Sequence, residues 1–333
     1  MVCVVGGAIF AALHAPLPWM MGSLLAMAAA QMAGTHFEAP PGGREVGLVI
    51  VGVNLGLYFT PPVVREVSAY GVYFVGLGFA ALGIGSISAA VLERVAKVDH
   101  ATAFFGSMPG GAAEMATMGE KYGAQIDRVA FAHSMRMLLV VTLVPTAITY
   151  AGFSATEDYR PVMVPFDPAG LVLLLALAAT GGFVARRLRI PTAYMMGSLI
   201  VTIALTMSGV SLSSVPTPLT NAAQVLLGCV LGSKFERSFL SSAPRFVLAL
   251  IPSVTITLAL AAFVGWVISR LSGAYLGTAL LSVAPGGIAE MSITAKVLRI
   301  GVAFVTAAHI IRYAIVVLFS VVAFRLLARR RLQ

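Results

Sequence analysis

Pro109-Gly110-Gly111-Ala112-Ala113-Glu114-Met115 returns 176 residues later as Pro285-Gly286-Gly287-Ile288-Ala289-Glu290-Met291, with six identities in seven. His133 and Arg136 return at the same spacing as His309 and Arg312, and Met20-Met21-Gly22-Ser23-Leu24 returns at 175 as Met195-Met196-Gly197-Ser198-Leu199. One duplicated unit with a single gap accounts for all three matches. The chain is read as two copies of one membrane unit, 1–154 and 169–333, joined by a polar linker at 155–168. In that linker Glu157, Asp158, Arg160 and Asp167 lie between prolines and interrupt the apolar pattern.

Hydrophobic residues make up 59% of the 333, charged residues 11%, and the mean hydropathy is +0.94. Soluble domains carry about 25% charged residues, so this composition indicates an all-α integral membrane protein. The net charge of +9 comes from 18 Arg and 4 Lys, several of them in short links between apolar runs. There they set orientation, and no basic recognition helix for nucleic acid stands clear of the apolar runs. Cys3 and Cys229 lie in apolar stretches without metal-ligand spacing and read as packing residues. No basic segment precedes the opening apolar run, which argues against a cleaved signal peptide. The second-copy counterpart of the first helix maps to a start before Met1, so the first span is short or the start codon lies upstream.

Apolar runs predict helices at about 2–13, 17–33, 44–60, 68–93, 100–122 and 125–152, then 169–187, 192–209, 219–235, 245–270, 273–298 and 301–328. A segment of about 20 residues crosses a bilayer. If the Pro-Gly-Gly segments enter and return, each copy crosses five times and the repeats are inverted; if they cross, there are twelve crossings and the repeats are parallel. Cytoplasmic links collect Lys and Arg. Arg186, Arg187 and Arg189, then Lys234, Arg237 and Arg245, then Arg325, Arg329, Arg330 and Arg331 share one side only if the interrupted segment does not cross. That arrangement favours inversion, at the cost of placing Lys296, Arg299 and Arg270 outside.

Proline removes an amide donor and two glycines relax the backbone, so each Pro-Gly-Gly is expected to break a helix inside the membrane. The freed backbone groups cost several kcal/mol each in hydrocarbon unless protein, water or a ligand satisfies them. Pro109, Gly110, Gly111, Pro285, Gly286 and Gly287 are therefore candidate site residues, with a packed structural kink as the alternative. Glu114 and Glu290 fall in the first turn of the following helix, where a carboxylate meets the positive end of the dipole. They either cap that helix or bind a cation or proton. His133 with Arg136, and His309 with Arg312, share a helix face at a spacing of three. Each arginine needs a partner, and Glu114 and Glu290 are the expected ones; an arginine left free would favour an anionic substrate. Ser23 and Ser198 read first as helix-packing residues, and Asn54 and Gln224 as weaker candidates for a polar cavity.

The repeated Pro-Gly-Gly-x-Ala-Glu-Met with a downstream His-x-x-Arg resembles the AbrB family of duplicated bacterial membrane proteins, over nearly the whole chain. Some members carry labels implying a regulator of aidB expression or an ammonia monooxygenase. The monooxygenase would need a redox metal in a His and carboxylate cluster. No two of His14, His36, His100, His133 and His309 lie within about 22 residues, so only a meeting of His133, His309, Glu114 and Glu290 would supply one.

The expectation is an inner-membrane, multi-pass protein of two inverted repeats, each of five crossings plus a re-entrant or discontinuous helix. It would be a secondary transporter of a small solute, with an anion as the candidate class and H+ or Na+ as candidate coupling ion, and not an enzyme. The alternative is a membrane-embedded sensor that influences gene expression. No cofactor, metal or nucleic acid is expected; membrane lipid is a partner, and a homodimer is left open.

Overall fold

The computed structural model describes residues 1–35, 37–153, 164–235 and 243–330, so the linker residues Glu157, Asp158 and Arg160, and His36, Arg237 and Arg331, lie outside it. The first half folds into α1 (Val2–Ala12), α2 (Pro18–Met32), α3 (Gly43–Gly56), α4 (Pro61–Ala69), α5 (Gly71–Ala96), α6 (His100–Ser107), α7 (Ala112–Glu120) and α8 (Ile126–Tyr150). The second contains α9 (Pro168–Arg187), α10 (Ala193–Met207), α11 (Thr217–Gly232), α12 (Pro244–Ser272), α13 (Leu276–Val283), α14 (Ile288–Leu298) and α15 (Val302–Arg330). Among the described residues there is no strand.

Among the described residues five helices, α5, α8, α9, α12 and α15, are long and apolar enough to cross a membrane. A sixth span appears if α3 and α4, bent by 90° at their junction, are taken together. Pro61 and Pro62 account for the bend, because they lack amide hydrogens and disfavour helix in the residue before them. From the sequence, 61–67 is read as a link between helices at 44–60 and 68–93, so α4 is an element that hydropathy did not mark. Fewer helices reach full length than the ten or twelve expected crossings, since α1, α2, α3, α10 and α11 have only 11 to 16 residues.

Two compact units divide the chain, and neither is one half of the sequence. The first takes Met1–Ala69, Pro145–Lys234 and Ser292–Ala303; the second takes Tyr70–Val144, Phe235–Met291 and Phe304–Gln333.

Glycines set the spacing of helices in the first unit. Gly6 on α1 faces Gly22 on α2, and Gly181 on α9 faces Gly197 on α10, so closely that an added Cβ would strike backbone. Gly52 and Gly56 on α3 lie against Ser198 and Thr202 on α10, while Gly228 and Gly232 on α11 lie against Met20, Ser23 and Leu24 on α2. Small residues at a spacing of four let helix backbones approach where no hydrophobic force drives them together. Cys3 and Cys229 are buried with their sulfurs 2.7 Å apart.

In the second unit α5 packs on α12, where Ser88 and Thr257 share a 2.6 Å hydrogen bond and Ser253 donates to the Ser88 carbonyl. The core around α6 and α7 is aromatic, with Phe104, Phe105, Tyr122 and Phe324 in mutual ring contact. Asp99 caps α6 by accepting from the Thr102 amide at 2.7 Å, and Asp167 caps α9 in the same way.

Left-handed backbone occurs at His14 and Arg189, Leu17 and Thr192, Gly34 and Gly209, Lys97 and Gly273, and Gly123 and Arg299. The first three pairs are separated by 175 residues and the last two by 176.

Candidate functional site

Between α6 and α7 the chain runs extended at Met108 (φ −63°, ψ 134°) and again at Gly111 (φ −71°, ψ 139°). Between α13 and α14 it does the same at Ala284. Each proline therefore ends one half-helix and each second glycine precedes the next. A Cβ on Gly111 would strike the Glu114 carboxylate, and one on Gly287 would strike that of Glu290. Gly110 and Gly286 are covered by Met115 and Met291, 2.9 and 2.7 Å from where a Cβ would stand.

Ending a helix leaves its last carbonyls without amide partners. The His-x-x-Arg pairs on α8 and α15 meet that need. His133 Nε2 lies 2.9 Å from the Phe105 carbonyl and His309 Nε2 lies 2.9 Å from that of Leu281, at the matching place in α13. Because a carbonyl only accepts, each ring carries its proton on Nε2, an assignment made from the bonding. Arg136 donates to the Met108 carbonyl at 2.8 Å and the Ser107 carbonyl at 3.3 Å. Arg312 donates to the carbonyls of Ala284, of Val283 at 3.5 Å and of Gly286 at 2.6 Å. Arg136 also reaches His133 Nδ1 at 2.9 Å.

The expected Glu to Arg pairing is thus corrected: among the described residues neither arginine pairs with a carboxylate. The reason is the direction of the half-helices. Each arginine lies at the negative, C-terminal end of α6 or α13, and each glutamate at the positive, N-terminal end of α7 or α14. Both guanidiniums are buried, with 4% and 3% of their residues' surface exposed. Glu114 and Glu290 are half-buried, and Glu114 makes no hydrogen bond or ion pair to described residues. Tyr313 on α15 stands beside Gly111, and Met137 on α8 beside Gly287.

All twelve principal candidates, Pro109 to Arg312, lie in the second unit. The four weaker ones, Ser23, Asn54, Ser198 and Gln224, lie in the first. Ser23 and Ser198 are fully buried and bond back to the carbonyls of Trp19 and Tyr194, one turn earlier. That is a packing arrangement. Asn54 donates to Thr220 at 2.8 Å and accepts from Lys296, while Gln224 is buried with its carbonyl oxygen lacking a donor.

Sequence reasoning treated Lys296 as a loop charge. Its place inside α14, six residues after Glu290 within one apolar segment, was the available signal. It also passed over Ser107 and Tyr313, because neither belongs to a matched pair; Tyr313 stands where the first half has Met137. Among the described residues no three of His, Cys, Asp and Glu gather, and Nε2 of both His133 and His309 is turned to a carbonyl.

The family model for AbrB, described as transition state regulatory protein AbrB, matches residues 19–328. An uncharacterized protein of Bacillus subtilis (strain 168), YhjN, is 26% identical over 97% of this chain and 90% of its own length. A protein of Escherichia coli (strain K12) named putative regulator AbrB is 25% identical over 91% of this chain and 88% of its own. An apolar all-helical chain with two interrupted helices, matched by one family model through both of them, belongs to the AbrB family.

Proposed function

We propose that this chain is a multi-pass protein of the bacterial inner membrane that carries a small solute by alternating access, its halves being inverted repeats. The observation that carries the reading is the pair of interrupted helices in one compact unit, each with buried His and Arg on one half and a half-exposed glutamate on the other. Discontinuous helices in repeated halves are a common build for ion and substrate sites in secondary transporters. Glu114 and Glu290 are the groups open to a proton or Na+, whereas Arg136 and Arg312 hold the breaks in place. Catalysis forms no part of this reading.

Two features support the duplication and a third bears on its inversion. Ten of the thirteen left-handed positions among the described residues pair at 175 or 176, even where the residues differ, as in His14 and Arg189, while Gly42, Gly152 and Gly301 have no counterpart. Exchanging the halves also maps the helix pairings onto one another: α1 on α2 with α9 on α10, α2 on α11 with α10 on α3, and α5 on α6 with α12 on α13. Finally, Lys296 is bonded to Asn54 within the protein, which removes one of the charges that inversion had to leave in an outside loop.

Reconstitution into vesicles on a sensor surface tests the reading, with pooled small metabolites presented under a proton or Na+ gradient. Solute-dependent current is expected in the wild type, falling by about tenfold or more in Glu114→Gln and Glu290→Gln at unchanged melting temperature, the loss of roughly one charge interaction. The name of the E. coli relative favours a second reading, a sensor acting through a partner protein. Solute-dependent capture of a partner without any flux would replace the carrier with that sensor.

A further inference from the structure

The second unit holds two positive charges that the described protein does not neutralise. Arg136 and Arg312 are buried, neither pairs with a carboxylate, and each lies within Coulombic reach of the other. The neighbours of the two arginines cross between the breaks, Tyr313 standing at Gly111 and Met137 at Gly287, and two like charges buried in one poorly polarisable interior repel, which is costly unless something negative stands nearby.

Unsatisfied polar atoms gather around the same two side chains. Among the described residues Arg136 Nε, Arg312 Nε, Ser107 Oγ and His309 Nδ1 are buried without a hydrogen-bond partner. Ser107 supplies one of the carbonyls that Arg136 holds, and His309 is one turn before Arg312. Two of these atoms can only donate and a third, the serine hydroxyl, can donate. Buried polar groups are normally satisfied, so a concentration of them calls for an occupant. His309 Nδ1 is an acceptor in the tautomer assigned above and points to no anion; the two Nε donors, the hydroxyl and the charge of the arginines set the sign.

We propose that the interior of this unit binds a small anion, of a size between chloride and a simple carboxylate, held by the Nε hydrogens of Arg136 and Arg312 and the hydroxyl of Ser107. The inference rests on the carrier reading for its role and names the class of solute carried. Electrostatics then link the anion to the cation. A proton or Na+ on Glu114 or Glu290 removes negative charge from the same unit and strengthens anion binding, and by reciprocity the anion strengthens cation binding.

The test uses the purified full chain in detergent, with chloride, nitrate or acetate replacing gluconate at constant ionic strength. A saturable rise in melting temperature is expected for at least one of them, its midpoint raised about tenfold in Ser107→Ala, which loses one hydrogen bond to a charged group while every capped carbonyl stays capped. Arg312→Lys, which keeps the charge and loses the Nε donor, is expected to shift the midpoint in the same direction. A melting temperature equal in all four anions overturns the proposal, as does a saturable rise that Ser107→Ala leaves unmoved. Flux of a neutral or cationic solute without anion dependence would sink this inference and leave the carrier; anion binding without flux would do the reverse.

Discussion

The two Pro-Gly-Gly segments are alike up to the glutamate and differ after it. Both end a half-helix whose carbonyls are held by His and Arg from a later helix, and both begin the next with a carboxylate over the glycine. Beyond that, α7 stays within the second unit and ends at exposed Glu120, whereas the division between units falls inside α14, after Met291. Lys296 occupies the position matching Glu120 and bonds to Asn54, which in turn bonds to Thr220. The shared part is what a broken helix in an apolar interior demands of any sequence; the unshared part is where the halves have acquired separate roles.

The strongest break in the comparison comes from the arginines. Arg312→Ala removes the guanidinium donor from three carbonyls and Arg136→Ala from two, of which that of Met108 keeps the Gly110 amide at 2.9 Å, at about 1–3 kcal/mol for each buried group left unsatisfied. Both variants are expected to lose yield and melting temperature, Arg312→Ala more. Adding Glu114→Gln to Arg136→Ala should restore nothing, because the two side chains are not partners; restoration would reinstate the ion pair that the sequence suggested.

A smaller effect is expected in the first unit. Gly52→Ala places a methyl against the Ser198 hydroxyl and the Met195 carbonyl, which is 2.8 Å from the new atom. Overpacking of this kind costs about 1–3 kcal/mol, and a denaturant midpoint unchanged by it would show that α3 and α10 are farther apart. Smallest is the contrast between matched positions. Lys296→Met should cost about 1–2 kcal/mol by leaving Asn54 without its donor, while Glu120→Gln on the surface stays within about 0.5 kcal/mol. Equal effects would remove the asymmetry between the two segments.

Helix positions were legible to within a few residues because apolar runs, prolines and glycines mark them, as at α8, expected at 125–152 and found at Ile126–Tyr150. The short helix α4 was missed because Arg65 and Glu66 interrupt the apolar pattern between 60 and 68, which therefore reads as a link. Duplication pointed to the glutamates and to the His-x-x-Arg pairs, but spacing alone does not tell which end of a half-helix an arginine will meet. That depends on the direction in which α8 and α15 pass the breaks. Ser107, Tyr313 and Lys296 were silent because a comparison of halves finds what is kept and overlooks what has changed. The compact units were equally hidden, since each is assembled from both halves.

Inversion of the halves carries the account, and Lys121 with Val297 offers a direct test, because the two are exposed and lie 176 residues apart just after α7 and near the end of α14. With Cys3 and Cys229 replaced by alanine, single cysteines at these positions would be labelled in whole cells by an impermeant thiol reagent, and again after permeabilisation. The account predicts labelling at 297 alone in whole cells and at both positions once the membrane is opened. Labelling of both, or of neither, in whole cells would put the matching segments on one side and contradict it.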